Sequence, residues 1–210
     1  MLGAVHRQAD RVFVYLDGYS EPPDFLRRYE RITVHGAEAT ADLHAAARFL
    51  CVTELETPAV VAIVDDDILY PRDYFDRLAD ALDAAGGQAV VGVHGRTFLP
   101  PHQSYIRDAT VTHFAEALKD PRHVHEVGAG TCAFVSDRLP VDPRLWDRHD
   151  MNDLRIAIEA QKRGLPRIAV ARPAKWLTAL AEGQTDSLWR KTQRDDTEHS
   201  RRMRALLNLY

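Results

Sequence analysis

The sequence is poor in cysteine, has no long apolar run and carries little excess charge. Its two cysteines, Cys51 and Cys132, lie in apolar surroundings, which argues against a disulfide framework or a cysteine zinc site and favours a reducing cytoplasm. A net charge of -4 provides no general attraction to a polyanion, so we expect no nucleic-acid partner. No apolar stretch approaches the roughly 20 residues that span a bilayer, so we expect no transmembrane segment.

The length and composition are typical of one globular domain, with 210 residues, 45% hydrophobic and 28% charged. Apolar periodicity and turn residues predict strands at 11–16, 32–34, 60–64, 89–93 and 168–170, and helices at 41–54, 73–82 and 151–163. This alternation predicts an α/β fold, with parallel neighbours in the sheet and a site at the carboxyl ends of its strands.

Two segments do not fit this alternation. Residues 97–122 contain a Pro-Pro break and scattered aromatics, and we expect a flap or part of an acceptor wall with a helix around 111–118. Residues 181–210 are strongly polar, which predicts a mobile loop at 183–186 and a solvated, partly helical arm at 192–207.

Three consecutive carboxylates follow the apolar strand at 60–64. Asp65, Asp66 and Asp67 repel one another where a buried strand emerges, and a divalent cation is the simplest group that relieves this repulsion. Carboxylate oxygens are hard ligands that suit Mg²⁺ or Mn²⁺, so Asp65 and Asp67 are a candidate pair for holding a metal and a diphosphate. The alternative is a solvated acidic turn that caps the following helix.

A second acidic pair opens the helix predicted at 151–163. The positive end of the helix stabilises a carboxylate there and aims it into a cleft, so Asp150 and Asp153 are candidates for a general base. The alternative is that Asp150 is only an N-cap and Asp153 an exposed charge of the first turn.

Further candidates for substrate contacts lie near the ends of strands. Gly128 and Gly130 either let the backbone approach a ligand or form a plain bulge, and His94 either faces the cleft or is a structural histidine. Arg172 follows the last strand, where it can serve a diphosphate. Trp176 either stacks on a sugar or base or packs in the core.

The segments VFVYLDG, AAARF, VVAIVDDDILYPRDYFDRL, VGAGTCAFV and DMNDLRIAIEAQKRGLP occur in this order, and over residues 9–177 the chain resembles the family 2 glycosyltransferases. The resemblance implies the nucleotide-sugar-binding GT-A fold, a Rossmann-like single domain over 1–210 with a mixed, mostly parallel central sheet flanked by helices. It implies a nucleotide-binding half at 1–95 and an acceptor and catalytic half at 96–180.

The resemblance also implies roles for site residues. Asp65, Asp66 and Arg48 would bind the nucleotide diphosphate, and Asp67 would be a direct ligand of Mn²⁺ or Mg²⁺. Asp153 would deprotonate the acceptor hydroxyl for in-line attack with inversion, and Asp150 is the substitute. The donor would be a nucleotide-diphospho-sugar, with UDP favoured, and the acceptor a glycan or small molecule in surface glycan synthesis.

The sequence departs from the family pattern in two places. It starts near the end of the family's first helix, so we expect the first strand of the fold to be missing. Asn152 stands where the family has an acid, which gives more weight to Asp153.

Two other functions stay open. AIVDDDIL is also similar to the haloacid-dehalogenase phosphatase signature, with Asp65 as nucleophile and Asp67 as general acid, although Leu69 stands where that signature has Thr or Val. The third possibility is a catalytically inactive binding module of GT-A type.

Overall fold

The computed structural model describes residues 1–36, 38, 42–180 and 192–208. Its strands in chain order are β1 (Val12–Tyr15), β2 (Ile32–His35), β3 (Val60–Val64), β4 (Ile68–Leu69), β5 (Val90–Gly92), β6 (Gly95–Phe98), β7 (Ala109–Thr112), β8 (Arg122–His123), β9 (Glu126–Val127), β10 (Thr131–Val135), β11 (Arg167–Ala169) and β12 (Thr178–Ala179). Its α-helices are α1 (Leu2–Val5), α2 (Tyr74–Ala84), α3 (Asn152–Lys162) and α4 (Thr197–Leu207), and 3₁₀ helices cover Asp24–Arg28, His44–Glu54 and Pro143–Leu145.

The main sheet has five strands in the order β3-β10-β5-β11-β8 and is mixed, as predicted. The expectation of mostly parallel neighbours is wrong here, because β5 and β11 are parallel while the other three pairs are antiparallel. The cause is β10, which enters between β3 and β5 in the opposite direction and places Ala133 opposite both Ala62 and Val91. The alternation predicted parallel neighbours, but a strand from much later in the chain separates β3 from β5.

Three smaller sheets surround the main one. β1 and β2 form a parallel pair, β12 pairs with β4, and β6 lies between β7 and β9. The helix expected around 111–118 is not found, because Ala109–Thr112 pairs instead with Gly95–Phe98 in an antiparallel hairpin. In this strand Val111 is exposed and Thr112 is buried.

Helices cover both faces of the main sheet. Alternate residues of β10 point to opposite faces, so Phe134 joins a cluster with Phe49 and Ile156 while Ala133 joins one with Leu78. The helices predicted from periodicity before β3, after β3 and before β11 are confirmed, the first of them as the 3₁₀ helix His44–Glu54. None of the described helices is long and apolar enough to cross a bilayer.

The helix α4 is packed against the domain, so the prediction of a solvated arm is wrong. Met203 and Leu206 are fully buried and join a cluster with Leu154 of α3. Its first turn is anchored by polar contacts, since the Asp196 carboxylate accepts from the Ser104 hydroxyl at 2.6 Å. The loop expected at 183–186 lies outside the described residues.

Candidate active site

The site begins at the carboxyl end of β3, where Asp65 is held by three neighbours. The Arg48 guanidinium, from the 3₁₀ helix before β3, forms an ion pair with the Asp65 carboxylate, and both side chains are about two-thirds buried. The backbone N–H of Asp65 donates to the Tyr70 hydroxyl at 2.8 Å, and that hydroxyl donates to the carbonyl of Gly130 at 2.6 Å. These contacts tie the acidic turn to the glycine segment before β10.

Gly130 is required by the position of Asp65. A Cβ atom built on Gly130 would overlap the Asp65 carboxylate, so any larger residue would have to displace that side chain. The sequence analysis predicted that the backbone approaches a ligand at Gly130; the structure shows a carboxylate of the same chain at this position, and the ligand contact stays a prediction. Gly128 packs against a different residue, because a Cβ atom built on it would lie 3.0 Å from the Cβ of His94.

Asp153 lies in the first turn of α3 and faces the same cleft as Asp65. The backbone N–H of Ala129 donates to Asp153 Oδ1 at 2.8 Å, which fixes the carboxylate beside the glycine segment. Burial raises the pKa of Asp153, the Ala129 N–H opposes this shift, and the negative charge of Asp65 raises it further. A carboxylate with a raised pKa, aimed into a cleft, is suited to accept a proton.

A buried polar cluster lies behind Asp153. The Tyr105 hydroxyl donates to Glu126 Oε1 at 2.6 Å, and Arg96 Nε lies 3.7 Å from the same oxygen. The Arg96 guanidinium also stacks over the Tyr105 ring, 4.5 Å from its centroid. Burial raises the pKa of Glu126 to about 8, with the Asp153 charge adding to the shift, so Glu126 is mostly protonated at neutral pH.

These elements enclose a cleft of about 270 Å³. Its walls combine carboxylates, an arginine, small residues of the glycine segment and side chains from α4 and the residues before it. The lining residues are Ala45, Arg48, Asp65, Tyr105, Ala129, Gly130, Asp150, Met151, Asn152, Asp153, Leu154, Thr192 and His199.

Asp150 lines the cleft but is committed to an ion pair. Both of its oxygens accept from Arg148, at 3.0 and 2.7 Å, and this pairing lowers the pKa of Asp150. A carboxylate with a lowered pKa holds a proton less readily than Asp153 does. Because the pKa of Asp153 is raised and that of Asp150 is lowered, Asp153 is the better candidate for the base.

The rest of the acidic triplet is not part of the cleft lining in the described structure. Asp66 is exposed, and neither Asp66 nor Asp67 is among the described residues that line the cleft. The backbone carbonyl of Asp67 accepts from the N–H of Leu180 at 2.7 Å, beside the pairing of β4 with β12. Of the triplet, only Asp65 thus faces the cleft directly.

Among residues 1–36, 38, 42–180 and 192–208, no group of three His, Cys, Asp or Glu side chains is arranged to hold a metal. Mg²⁺ in nucleotide sites needs only one or two carboxylates, because phosphate oxygens and water complete its coordination. Asp65 and Asp67 are two residues apart on one turn and supply such hard oxygen donors. Asp65 lines the cleft and is paired with Arg48, whereas Asp67 is not among the described residues that line it, so the divalent-cation site stays a prediction.

His94 is not part of the cleft lining in the described structure. Its backbone N–H donates to the Thr131 hydroxyl at 3.0 Å, and its ring packs edge-on against His113 with the centroids 5.5 Å apart. Burial lowers the pKa of His94 to about 3, so the ring is neutral. The prediction that His94 contacts the substrate is not supported, and the structural alternative describes it better.

Arg172 and Trp176 are also structural. The Arg172 guanidinium donates to the carbonyls of His113 at 2.7 Å and Val170 at 3.0 Å, and the residue is buried. The Trp176 indole donates to Asp73 at 3.1 Å and packs beside Tyr74 on α2. Neither lines the cleft among the described residues, so the predicted diphosphate and sugar contacts are not found.

Three polar lining residues were missed by sequence reasoning: Tyr105, Thr192 and His199. Tyr105 belongs to a segment without clear periodicity. The sequence of α4, in contrast, does indicate a helix with a buried face. Its apolar residues Met203, Leu206 and Leu207 recur at helical spacing, which indicates a buried face on an otherwise polar helix.

Searches with known family models and against curated proteins find no match to this chain.

Proposed function

We propose that this protein transfers a sugar from a nucleotide-diphospho-sugar to an acceptor hydroxyl, with a fold of GT-A type. The observation that carries the proposal is that the Arg48–Asp65 pair at the end of β3 and Asp153 at the start of α3 line one cleft. Arg48 can bind a charged leaving group, and Asp153 can accept a proton. Glycosyl transfer requires both functions.

The donor side consists of Arg48 and the acidic turn. An arginine is suited to phosphate oxygens because its planar guanidinium donates two parallel hydrogen bonds. Asp65 holds this guanidinium in place before the donor binds, and Asp65 with Asp67 would hold Mn²⁺ or Mg²⁺. The bound cation would neutralise the charge that develops on the departing diphosphate.

The acceptor side is centred on Asp153. The acceptor oxygen forms a bond to the anomeric carbon while the bond from that carbon to the diphosphate breaks, and the acceptor proton passes to Asp153. The hydrogen bond from Ala129 keeps the carboxylate in position, and its raised pKa makes it a better base than an exposed aspartate. A single displacement of this kind inverts the anomeric centre.

The phosphatase alternative needs Asp65 to attack phosphorus. That role gives no function to Asp153, which lines the same cleft as Asp65. An inactive binding module would use the donor side alone.

Thermal unfolding with UDP, GDP, CDP and dTDP, each with and without Mn²⁺, tests the proposal. A ligand at about 100 times its Kd adds roughly 2.7 kcal/mol to the free energy of unfolding, which raises Tm by several degrees. We expect one nucleotide to stabilise the protein only with Mn²⁺, and Asp67→Asn to remove that shift. Stabilisation by none of the four, together with phosphate release from a generic phosphoester, would favour the phosphatase.

Turnover separates an enzyme from an inactive module. The donor identified by unfolding is incubated with Mn²⁺, and release of the nucleoside diphosphate is followed over time. Release by the native protein that is lost in Asp153→Asn, with the Mn²⁺-dependent nucleotide shift retained, supports the transferase. A shift without any release indicates the binding module.

A further inference from the structure

Glu126 is a buried carboxyl group that the proposed reaction does not use. It lies on β9 opposite Arg96 of β6, is only 2% exposed, and belongs to a strand that packs against α3. The Tyr105 hydroxyl donates to Glu126 Oε1 at 2.6 Å, and Tyr105 lines the cleft together with Asp153. The backbone N–H that binds Asp153 belongs to Ala129, which follows Glu126 closely in the chain. Glu126 is thus part of the packing that supports the candidate base.

The contacts of Glu126 suit a protonated carboxyl group better than a carboxylate. An ionised carboxylate has about four positions that can accept a hydrogen bond. Among the described residues, Oε1 accepts from the Tyr105 hydroxyl and Oε2 has no hydrogen-bond partner. Arg96 Nε lies 3.7 Å from Oε1, which is longer than a hydrogen bond. Burying a charge with so few donors costs far more than burying the neutral acid, so this geometry favours a proton on Glu126.

The charges around Glu126 favour the same protonation state. Asp153 on α3 contributes a negative charge and Arg96 on β6 a positive one, whereas Arg48, the other guanidinium near Asp153, is paired with Asp65. Burial and the Asp153 charge raise the pKa of Glu126 to about 8, although Arg96 opposes this shift. Two buried carboxyl groups beside one guanidinium do not both ionise at neutral pH, so the pair retains one proton.

Two further elements that carry ionisable groups contact this cluster. On α4, the His199 ring lies 5.0 Å from the Tyr105 ring, and burial lowers the pKa of His199, so the ring is neutral at pH 7. On β11, the Arg167 guanidinium donates to the carbonyl groups of His125 and Leu165. The Tyr105 hydroxyl is therefore the hydrogen-bond donor that the described part of the chain offers to the carboxyl group on β9.

We propose that Glu126 and Asp153 share one proton and that Glu126 holds it, which makes Glu126 a positioning residue that keeps Asp153 ionised. The catalytic meaning of this pair rests on the proposed glycosyl transfer, because Asp153 is the base of that reaction. A base must be without a proton when the acceptor binds, and a second carboxyl group that retains the proton of the pair ensures this. After transfer, the proton on Asp153 can leave through the cleft that Asp153 lines.

Titration of the two carboxyl groups tests the proposal without any substrate. Protein labelled with carbon-13 at the side-chain carboxyl groups of aspartate and glutamate is titrated by NMR as the native chain, as Asp153→Asn and as Glu126→Gln. The two substitutions also assign the two signals. Glu116→Gln is the matched control, because Glu116 is exposed and is not among the described residues that line the cleft.

We expect Asp153→Asn to lower the pKa of Glu126 by about 1 or more, because a neighbouring negative charge is removed. Glu126→Gln should leave the pKa of Asp153 in place, since glutamine replaces a group that is already neutral while Asp153 titrates. Glu116→Gln should change neither pKa. If Glu126→Gln does not fold, the response of Glu126 in Asp153→Asn decides.

Turnover provides a second measurement, which a purely structural role of Glu126 would not change. Nucleoside diphosphate release is followed with the donor and Mn²⁺ across the pH range in which Glu126 titrates. In the native protein kcat should rise about threefold as Glu126 ionises, because a second negative charge makes Asp153 a stronger base. This rise should be missing in Glu126→Gln and retained in Glu116→Gln.

An unchanged pKa of Glu126 in Asp153→Asn would overturn the proposal, because the two groups would then titrate independently. A lowered pKa of Asp153 in Glu126→Gln would also overturn it, since the proton would then reside on Asp153. Equal pH profiles of kcat in the native protein and Glu126→Gln would remove the catalytic role. If the native protein turns over no donor, the proposed function fails and that role fails with it, whereas the titrations still decide whether the proton is shared.

Discussion

Gly130 lies against the Asp65 carboxylate so closely that a Cβ atom at position 130 would overlap it. The contact joins the end of β3 to the segment before β10, two strands that are neighbours in the sheet but lie far apart in sequence. The Tyr70 hydroxyl reinforces the junction, because it accepts from Asp65 and donates to Gly130. Close backbone packing here fixes the position of the Asp65 carboxylate.

Gly130→Ala is expected to lower affinity for the nucleotide about tenfold or more, because the added methyl displaces Asp65 and the Arg48 paired with it. Isothermal titration with the stabilising nucleotide and Mn²⁺ measures the loss. Gly36→Ala is the matched control, since a Cβ there has no neighbour within 4 Å. Equal affinities in the two variants would show that the position of Asp65 is irrelevant to binding.

The Arg48–Asp65 pair should be energetically coupled. A double-mutant cycle with Arg48→Met and Asp65→Asn is expected to give a coupling free energy of about 0.5–3 kcal/mol in urea unfolding, because each single variant leaves the other charge partly buried and unpaired. Arg77 and Asp73, an exposed pair one turn apart, are the control, with an expected coupling below about 0.5 kcal/mol. Similar couplings in the two cycles would contradict a special role for the buried pair.

Asp153→Asn is expected to lower kcat about 10²- to 10⁴-fold with nucleotide affinity preserved, as for the loss of a general base. In the native enzyme the rate should fall as the pH drops through the pKa of Asp153, which is raised, so the loss begins at a higher pH than for an exposed aspartate. Asp150→Asn should change kcat much less, because Asp150 is paired with Arg148. A larger effect at Asp150 would move the base to that residue.

Glu126 should make the protein less stable as the pH rises. Its pKa is about 8 in the folded protein and near 4.5 when unfolded, so the folded state binds more protons between these values. The stabilisation is complete below pH 4.5 and is lost as the pH rises towards 8, at up to about 1.4 kcal/mol per pH unit.

Glu126→Gln keeps an acceptor for the Tyr105 hydroxyl and cannot ionise, so its stability should depend less on pH across this window. Urea unfolding of both proteins at a series of pH values measures the two slopes. Parallel slopes would mean that Glu126 is already ionised at neutral pH in the folded state.

Packing of α4 is tested by Leu206→Ala. Leu206 is fully buried against α3, so its truncation should cost about 2–5 kcal/mol of unfolding free energy. Arg204→Ala, at an exposed position on the same helix, should change stability by less than about 0.5 kcal/mol. Comparable small effects in both variants would restore the interpretation of this segment as a solvated arm.

The sequence predicted features whose cause is local. The apolar run before Asp65 predicted β3, and helical spacing of apolar residues predicted α2 and α3, because a few consecutive residues carry each pattern. Asp153 was likewise a candidate from its place in the first turn of a helix. The structure adds its hydrogen bond to Ala129 and the raised pKa.

The local sequence does not determine whether a polar side chain after a strand contacts a ligand or another part of the same chain. Arg172 and Trp176 were candidates because charged and aromatic residues after a strand can reach a cleft. In the structure, the Arg172 guanidinium donates to two nearby carbonyls and the Trp176 indole donates to Asp73.

The sequence by itself determined the individual strands and helices around the acidic turn and the candidate base in α3. Only the tertiary structure decided that β10 lies antiparallel between β3 and β5, and that α4 contributes His199 to the lining of the cleft. The physical reason is that the apolar periodicity of a strand or helix is a property of consecutive residues. Which strands and helices pack together depends instead on burying apolar area between segments far apart in the chain.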